Sequence, residues 1–209
     1  MNRLKSFYAK YVFGPLMDWS LRRPMIDELR ERLIPQAAGD VLELGYGTGL
    51  NLSHYSRHVR RLTLIDPVEI MPRRVAQRIA HCRAGAIERL SAAAEGLPIA
   101  DASIDCVVST FTLCSVEDVA GALAEVRRVL KPGGRLLLLE HGCSEDSSVA
   151  RWQDRLNGLQ RLVACGCNLN RPIQQVVESA GLAFTSLDRF TLPEVPRVMG
   201  SMYVGAAAK

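Results

Sequence analysis

The sequence predicts an α/β fold: a doubly wound seven-stranded sheet, mostly parallel with an antiparallel final strand, and helices on both faces. Three observations carry this. Short apolar runs alternate with segments of helical period, the first run ends in a cluster of glycines, and the last two runs are joined by a segment too short for a crossover helix. In order, the strand-like runs are Asp40–Gly45, Arg61–Asp66, Ala86–Ser91, Ile104–Thr110, Gly134–His141, Ala183–Phe190 and Arg197–Lys209. Helical segments fall at Pro67–Ala80, Val116–Gly134 and Arg171–Gly181. In the second of these, Val116, Val119, Leu123, Val126 and Val129/Leu130 recur at helical spacing, and Lys131-Pro132-Gly133-Gly134 ends it. Thr191–Pro196 leaves no room for a helix, so the last two strands are expected to pair antiparallel.

Two segments fall outside this rhythm. Residues 1–36 are rich in aromatic and basic side chains, and residues 144–171 read as an extra helix inserted after the fifth strand. In an open parallel sheet both would lie near the carboxyl ends of the strands, where ligands bind. The chain therefore reads as one domain, 1–209. Its parts are a lid (1–36), a ligand-binding core (37–143), an inserted acceptor-side helix (144–171), and a final helix with a strand hairpin (172–209).

Composition narrows the function classes. With 209 residues, 48% hydrophobic and 23% charged, the chain can bury a large core without staples. A net charge of +4 with dispersed arginines does not imply nucleic acid. Six cysteines without a secretory pattern read as reduced thiols, hence a cytoplasmic setting. Cys165-Gly-Cys167 has no second pair or histidine cluster beside it in sequence, so no metal is expected. No apolar run approaches the roughly 18 residues of a membrane span.

Gly45, Gly47 and Gly49 follow the first strand at every second position. One glycine would serve a tight turn; three suggest a ligand lying close to the backbone. The pattern G-x-G-x-G, with Leu50 where a dinucleotide loop has its last glycine, argues against a pyrophosphate. Asp66 ends the second strand 17 residues after Gly49, near the distance at which a carboxylate takes a ribose diol; capping the next helix is the alternative. Glu43, inside the first strand, is expensive to bury unpaired and suits a ligand carrying positive charge. Ala94-Glu95 lies on the loop after the third strand.

Glu43–Gly49, Leu64–Pro67, Ala94–Pro98, Ser103–Ser109 and Glu125–Gly134 occur in an order that resembles the class I S-adenosylmethionine-dependent methyltransferases of the methyltransferase type 11 family, which includes the ubiquinone/menaquinone methyltransferases. That resemblance implies a Rossmann-like fold with S-adenosyl-L-methionine as cofactor. It implies that the amino-acid end of the cofactor lies along Gly45, Tyr46, Gly47, Thr48 and Gly49, with Asp66 on the ribose and Ala94 and Glu95 beside the adenine. Glu43, Pro67 and Thr110 complete the implied cofactor site. Many members have an aspartate where this chain has Ala93, so backbone groups are expected to recognise the adenine.

Within the family, the stretch from Phe111 to His141 and the later Gly166-Cys167-Asn168-Leu169-Asn170-Arg171 are similar to the alkyl thiol methyltransferases. Phe7–Pro24 and Gly47–Tyr55 resemble the small bacterial phospholipid N-methyltransferases. The expected acceptor is a small lipophilic thiol, with a phospholipid amine as the alternative. A thiol must lose its proton, and His141 is the best-placed base unless it is only a hydrogen-bonded strand-end residue. Asn168 and Arg171 join it as catalytic candidates; Arg171 either orients an anionic acceptor or pairs with a carboxylate. Thr112, Cys114, Tyr8, Tyr11 and Trp152 are acceptor-pocket candidates, although Cys114 and Trp152 equally suit packing roles. Phe7, Phe13 and Trp19 would complete an aromatic lid. With Arg3, Lys5 and Lys10 beside it, the same segment suits a weak peripheral contact with the inner membrane face.

Overall fold

The computed structural model describes residues 7–193 and 195–209. Five strands, β1 (Gly39–Leu44), β2 (Val59–Ile65), β3 (Ala86–Leu90), β4 (Ile104–Thr110) and β5 (Leu130–His141), pair in parallel. β6 (Ala183–Thr191) and β7 (Ser201–Ala208) complete a seven-stranded sheet in the order β3-β2-β1-β4-β5-β7-β6. The last strand runs antiparallel to both neighbours, as expected, but it lies inside the sheet between β5 and β6. Small residues suit it to that slot: Gly205 passes so close to the Ser186 carbonyl that a Cβ would clash.

The alternation of strand side chains builds two cores. Leu42, Leu44, Val107, Leu136 and Leu138 face one layer; Val41, Leu62, Leu64, Cys106, Val108, Leu137 and Leu139 face the other. Each such Leu or Val, fully buried, contributes about 1.5–3 kcal/mol. On the first face lie α4 (Val119–Val129), through Ala122, Leu123 and Val126, and α6 (Ile173–Ser179), through Ile173 and Val177. Asp118 caps α4 by accepting from Gly121 N.

The second face is covered differently from the usual doubly wound plan. The glycine loop leads into one 3₁₀ turn, Leu50–Ser53, and not into a long crossover helix. The gap is filled by α2 (Pro24–Leu33), whose Ile26 and Leu33 join Leu52, Tyr55, Val59 and Leu62, and by α3 (Pro72–Ala80) through Val75. Proline at the first turn starts both helices. Residues 24–36, expected as part of a lid, thus contribute to the core.

Ahead of them, residues 7–20 form a helix containing a π-helical turn at Ala9–Phe13 and continuing as α1 (Gly14–Ser20). Gly14 is required there, because a Cβ would clash with Ile70. Asp18, 1% exposed, latches the segment down. It accepts from Arg74 at 2.5 Å and Arg78 at 2.7 Å, and Arg78 also reaches the Thr48 carbonyl at 2.5 Å. Burial pushes the Asp18 carboxyl up, but the bonds from Arg78, Thr48 and Arg74 outweigh it and hold the pKa below the ordinary value. The latch is therefore worth most above about pH 4 and is lost as pH falls through the lowered value. Asp18→Asn is expected to cost about 3 kcal/mol at pH 7, by leaving two arginines without their carboxylate, and to remove that acid slope; urea unfolding at pH 3 and 7 measures both.

α5 (Ser147–Val163) is capped by Asp146 and buries little besides Val149 and Gln153. Gln153 holds it to the sheet by bonds to the carbonyls of Gly142 and Val198, both 3.0 Å.

Candidate active site

At the carboxyl ends of β1, β2 and β4 the lid and α5 close over one large cavity of about 1460 Å³. Its floor includes Glu43, Gly45, Tyr46, Gly47, Thr48, Asp66, Pro67, Ala94, Glu95, Thr110 and Thr112. Its roof includes Phe7, Tyr8, Val12, Phe13 and Met17, and its far wall Leu162, Asn168 and Arg171.

The three loop glycines serve different ends. All have positive φ: 65° at Gly45, 51° at Gly47 and 80° at Gly49. At Gly45 a Cβ would clash with Thr112, whose hydroxyl donates to the Leu44 carbonyl at 2.9 Å. At Gly49, which does not line the cavity, it would come within 2.7 Å of Leu52. Only at Gly47 does a Cβ point into open space, with the Gly45 carbonyl at 3.9 Å its nearest neighbour. Two of the glycines thus serve protein packing, and one keeps a cradle free.

Asp66 ties this cradle down. Its carboxylate accepts from Gly47 N at 3.0 Å and Val68 N at 2.9 Å, which leaves lone pairs on both oxygens. It caps no helix, since α3 starts only at Pro72. Burial raises its pKa against those two bonds.

Glu43 is buried but not unpaired. It accepts from Asn51 Nδ2 and Tyr55 OH, both at 2.8 Å, and burial pushes its pKa up to about 7 against those bonds. Asn51 also donates to Thr110 at 3.0 Å and accepts from Arg30 Nε at 3.1 Å. Arg30, 1% exposed, donates to the Leu21 carbonyl at 2.7 Å and lies 5.9 Å from the Phe111 ring centroid. Desolvation lowers its pKa to about 10. Glu43 is thus partnered from within the chain, not left unpaired, and it still lines the cavity.

Glu140 was not anticipated as a site residue, although a charge inside the apolar run before His141 was its signal. Fully buried, it accepts from Ser109 Oγ at 2.7 Å, from Thr112 N and Leu113 N at 3.0 Å, and from Cys114 N at 3.3 Å. It folds the loop after β4 into a fixed arch, with Phe111 at a φ of 53°. Arg171 grips the arch from outside, donating to the carbonyls of Leu113 at 2.6 Å and Val116 at 2.7 Å. Among the described residues it makes no carboxylate pair. Asn168 does likewise, donating to the Cys114 and Gly166 carbonyls at 2.9 and 3.0 Å.

Several acceptor-pocket candidates are displaced. Trp152 is 53% exposed, lies against the Arg155 guanidinium and is not among the residues lining the cavity. Tyr11, 67% exposed, and Trp19, 71% exposed, lie outside the cavity wall, Tyr11 against Phe7. Tyr8 does line it, and its hydroxyl donates to the Val163 carbonyl at 2.8 Å, joining lid to α5. Lys10 is exposed; Arg3 and Lys5 lie outside the described residues.

Cys114 and His141 lie just behind the cavity wall. His141 Nε2 is 2.8 Å from Cys167 Sγ, which is 3.7 Å from Cys114 Sγ. The bonds from Cys114 and His141 pull the Cys167 thiol down against its burial, and the Cys167 sulfur raises His141 against the effect of burial there. His141 is thus turned toward a protein sulfur and does not face the cavity as a free base. Sequence spacing concealed this cluster, whose members come from three separate elements.

A family model described as a methyltransferase domain matches residues 42–138. Thiol S-methyltransferase TMT1A of Homo sapiens is 36% identical over 83% of this chain and 72% of its own length. TMT1B of Homo sapiens is 35% identical over 92% and 84%. At 17% identity the fold is shared with Burkholderia thailandensis 1,6-didemethyltoxoflavin-N1-methyltransferase, crystallised with S-adenosylhomocysteine (TM-score 0.67; 99% and 87% covered). A Haloferax volcanii complex of the Trm112 methyltransferase activator with a methyltransferase matches at TM-score 0.69, 17% identity and 100% and 98% coverage. With the glycine cradle, the Asp66 strand end and the sheet order in agreement, the chain belongs to the class I S-adenosylmethionine-dependent methyltransferases, as a relative of the thiol S-methyltransferases.

Proposed function

We propose that this methyltransferase acts on the sulfur of a small lipophilic thiol. The observation that carries the reading is a single cavity in which the glycine cradle faces an apolar roof of Phe7, Val12, Phe13 and Met17. Its volume of about 1460 Å³ exceeds the roughly 300–1,000 Å³ usual for one ligand, leaving room for cofactor and acceptor together. The similarity to thiol S-methyltransferases supports the same reading.

In this reading the open face of Gly47, with the backbone of Gly45 to Thr48, receives the amino-acid end of S-adenosylmethionine. Asp66 uses its remaining lone pairs for the ribose, Pro67 and Thr110 flank it, and Ala94 and Glu95 border the adenine. The cofactor supplies a methyl group on a sulfonium sulfur. The chain's work is to align acceptor and methyl in line and to exclude water. Thr112 and Tyr8 shape the acceptor side, while Asn168 and Arg171 act as positioning residues that fix the arch beneath it. His141 belongs to the sulfur cluster behind that arch.

The test is transfer of labelled methyl to a lipophilic thiol and, in parallel, to phosphatidylethanolamine liposomes, with Asp66→Ala as the blank. Label on the thiol alone is expected. Label in the lipid alone would overturn the acceptor assignment.

No helix among the described residues is long and apolar enough to cross a membrane. A cytoplasmic setting fits six unpaired cysteines. The exposed Tyr11, Leu16 and Trp19 would supply weak contact with a membrane face. Sedimentation with anionic liposomes, lost on Trp19→Ala, measures that contact.

A further inference from the structure

Cys114 from the arch after β4, His141 from the end of β5 and Cys167 from the α5–α6 connection bring three ligand atoms within 4.8 Å of one another. Cys114 is 1% and Cys167 8% exposed, so neither sulfur is a chance surface thiol. Two thiolates bound at about 2.3 Å to a tetrahedral ion stand about 3.8 Å apart. The observed separation is 3.7 Å. The His141 nitrogen, at 2.8 Å from Cys167 Sγ, needs to retreat only about 0.7 Å to take its own vertex. Two sulfurs and an imidazole are a donor set for a borderline-soft divalent ion, and three protein ligands leave one position open. The open side is marked by Ser115, whose hydroxyl lies 3.4 Å from Cys114 Sγ and whose residue lines the cavity.

We propose that Cys114, His141 and Cys167 bind one zinc-class divalent ion whose fourth position opens beside Ser115 toward the cavity and takes the acceptor sulfur as its thiolate. The metal site stands on the geometry alone; the acceptor at its fourth position rests on the thiol reading. Ion binding releases the two cysteine protons to solvent. The acceptor S–H gives its proton to bulk water as its sulfur replaces the water on the ion. A bond then forms between that sulfur and the methyl carbon while the methyl–sulfonium bond breaks, its electron pair leaving on the sulfur of S-adenosylhomocysteine. The thioether product is neutral, a weaker ligand, and departs. This supplies the activation that a displaced His141 base does not.

The test uses the full chain, stripped of metal and held reduced with a phosphine. Titration with Co²⁺ is expected to give one equivalent bound, with a thiolate-to-metal charge-transfer band that Zn²⁺ abolishes. Cys114→Ser and Cys167→Ser should each weaken binding at least 100-fold while S-adenosylmethionine binding, followed by calorimetry, reports an intact fold; Cys165→Ser should change nothing. Adding a lipophilic thiol should shift the visible cobalt bands. No stoichiometric metal, or binding indifferent to both cysteine variants, overturns the site. Metal binding with no response to thiol overturns the fourth-position assignment. Metal binding in a protein that methylates no thiol leaves the site standing and removes the thiol reading.

Discussion

Gly47→Val is expected to abolish S-adenosylmethionine binding, a loss of at least 100-fold by calorimetric titration, while the protein still folds. The asymmetry follows from the space around the loop. At Gly47 no atom except the Gly45 carbonyl lies within 4 Å of an added Cβ, so the branched side chain meets no protein and fills the cradle. The φ of 51° adds strain of about 1–2 kcal/mol, a modest share of the 5–15 kcal/mol typical of domains. Gly45→Val is expected to give the contrasting result, misfolding by collision with Thr112. Should Gly47→Val bind the cofactor normally, the ligand does not approach that face of the loop.

The second large effect is in stability against pH. Glu43 titrates near 7 in the folded chain and near 4.5 when free, so the folded state holds the extra proton between those values. Stability is therefore highest below about pH 4.5 as far as this group is concerned, and it falls as pH rises toward 7, by about 3 kcal/mol at the upper limit. Glu43→Gln keeps an acceptor for Asn51 and, with the Tyr55 hydroxyl accepting in turn, removes the titration. Urea unfolding at pH 5 and pH 8 should show the difference between the two proteins shifting by up to that amount in favour of the variant at pH 8. Equal slopes would show that Glu43 remains ionised throughout.

Much of the cofactor half was legible in sequence because its determinants are local. A strand end, a run of alternate glycines and a carboxylate at the next strand end sit at fixed spacing, since parallel strands must present their carboxyl ends side by side. Gly45, Gly47, Asp66, Ala94 and Glu95 accordingly meet around one cavity. Why each glycine is needed was not legible, because it depends on the folded loop: Thr112 reaches Gly45 from the arch after β4, and Leu52 turns back on Gly49 in the 3₁₀ turn. Glu43 and Glu140 were visible as charges in apolar runs, but their satisfaction was not. Tyr55 and Asn51 complete one, and a backbone arch completes the other.

The acceptor half was less legible. Tyr8, Tyr11, Trp19 and Trp152 are alike as amphipathic aromatics, and only helix phase decides which face the cavity. The π-helical turn at Ala9–Phe13 changes that phase within the lid.

By itself the sequence determined the strand succession, the antiparallel final pairing and the position of the glycine loop, because periodicity and turn chemistry act over a few residues. Tertiary structure alone decided that β7 enters the sheet between β5 and β6, that α2 covers the face left bare after the 3₁₀ turn, and that Cys114, His141 and Cys167 converge. Such contacts join residues far apart in the chain, 53 positions between Cys114 and Cys167 and 73 between the paired Arg135 and Ala208. They are selected by the closing of the whole core, and no local pattern encodes them.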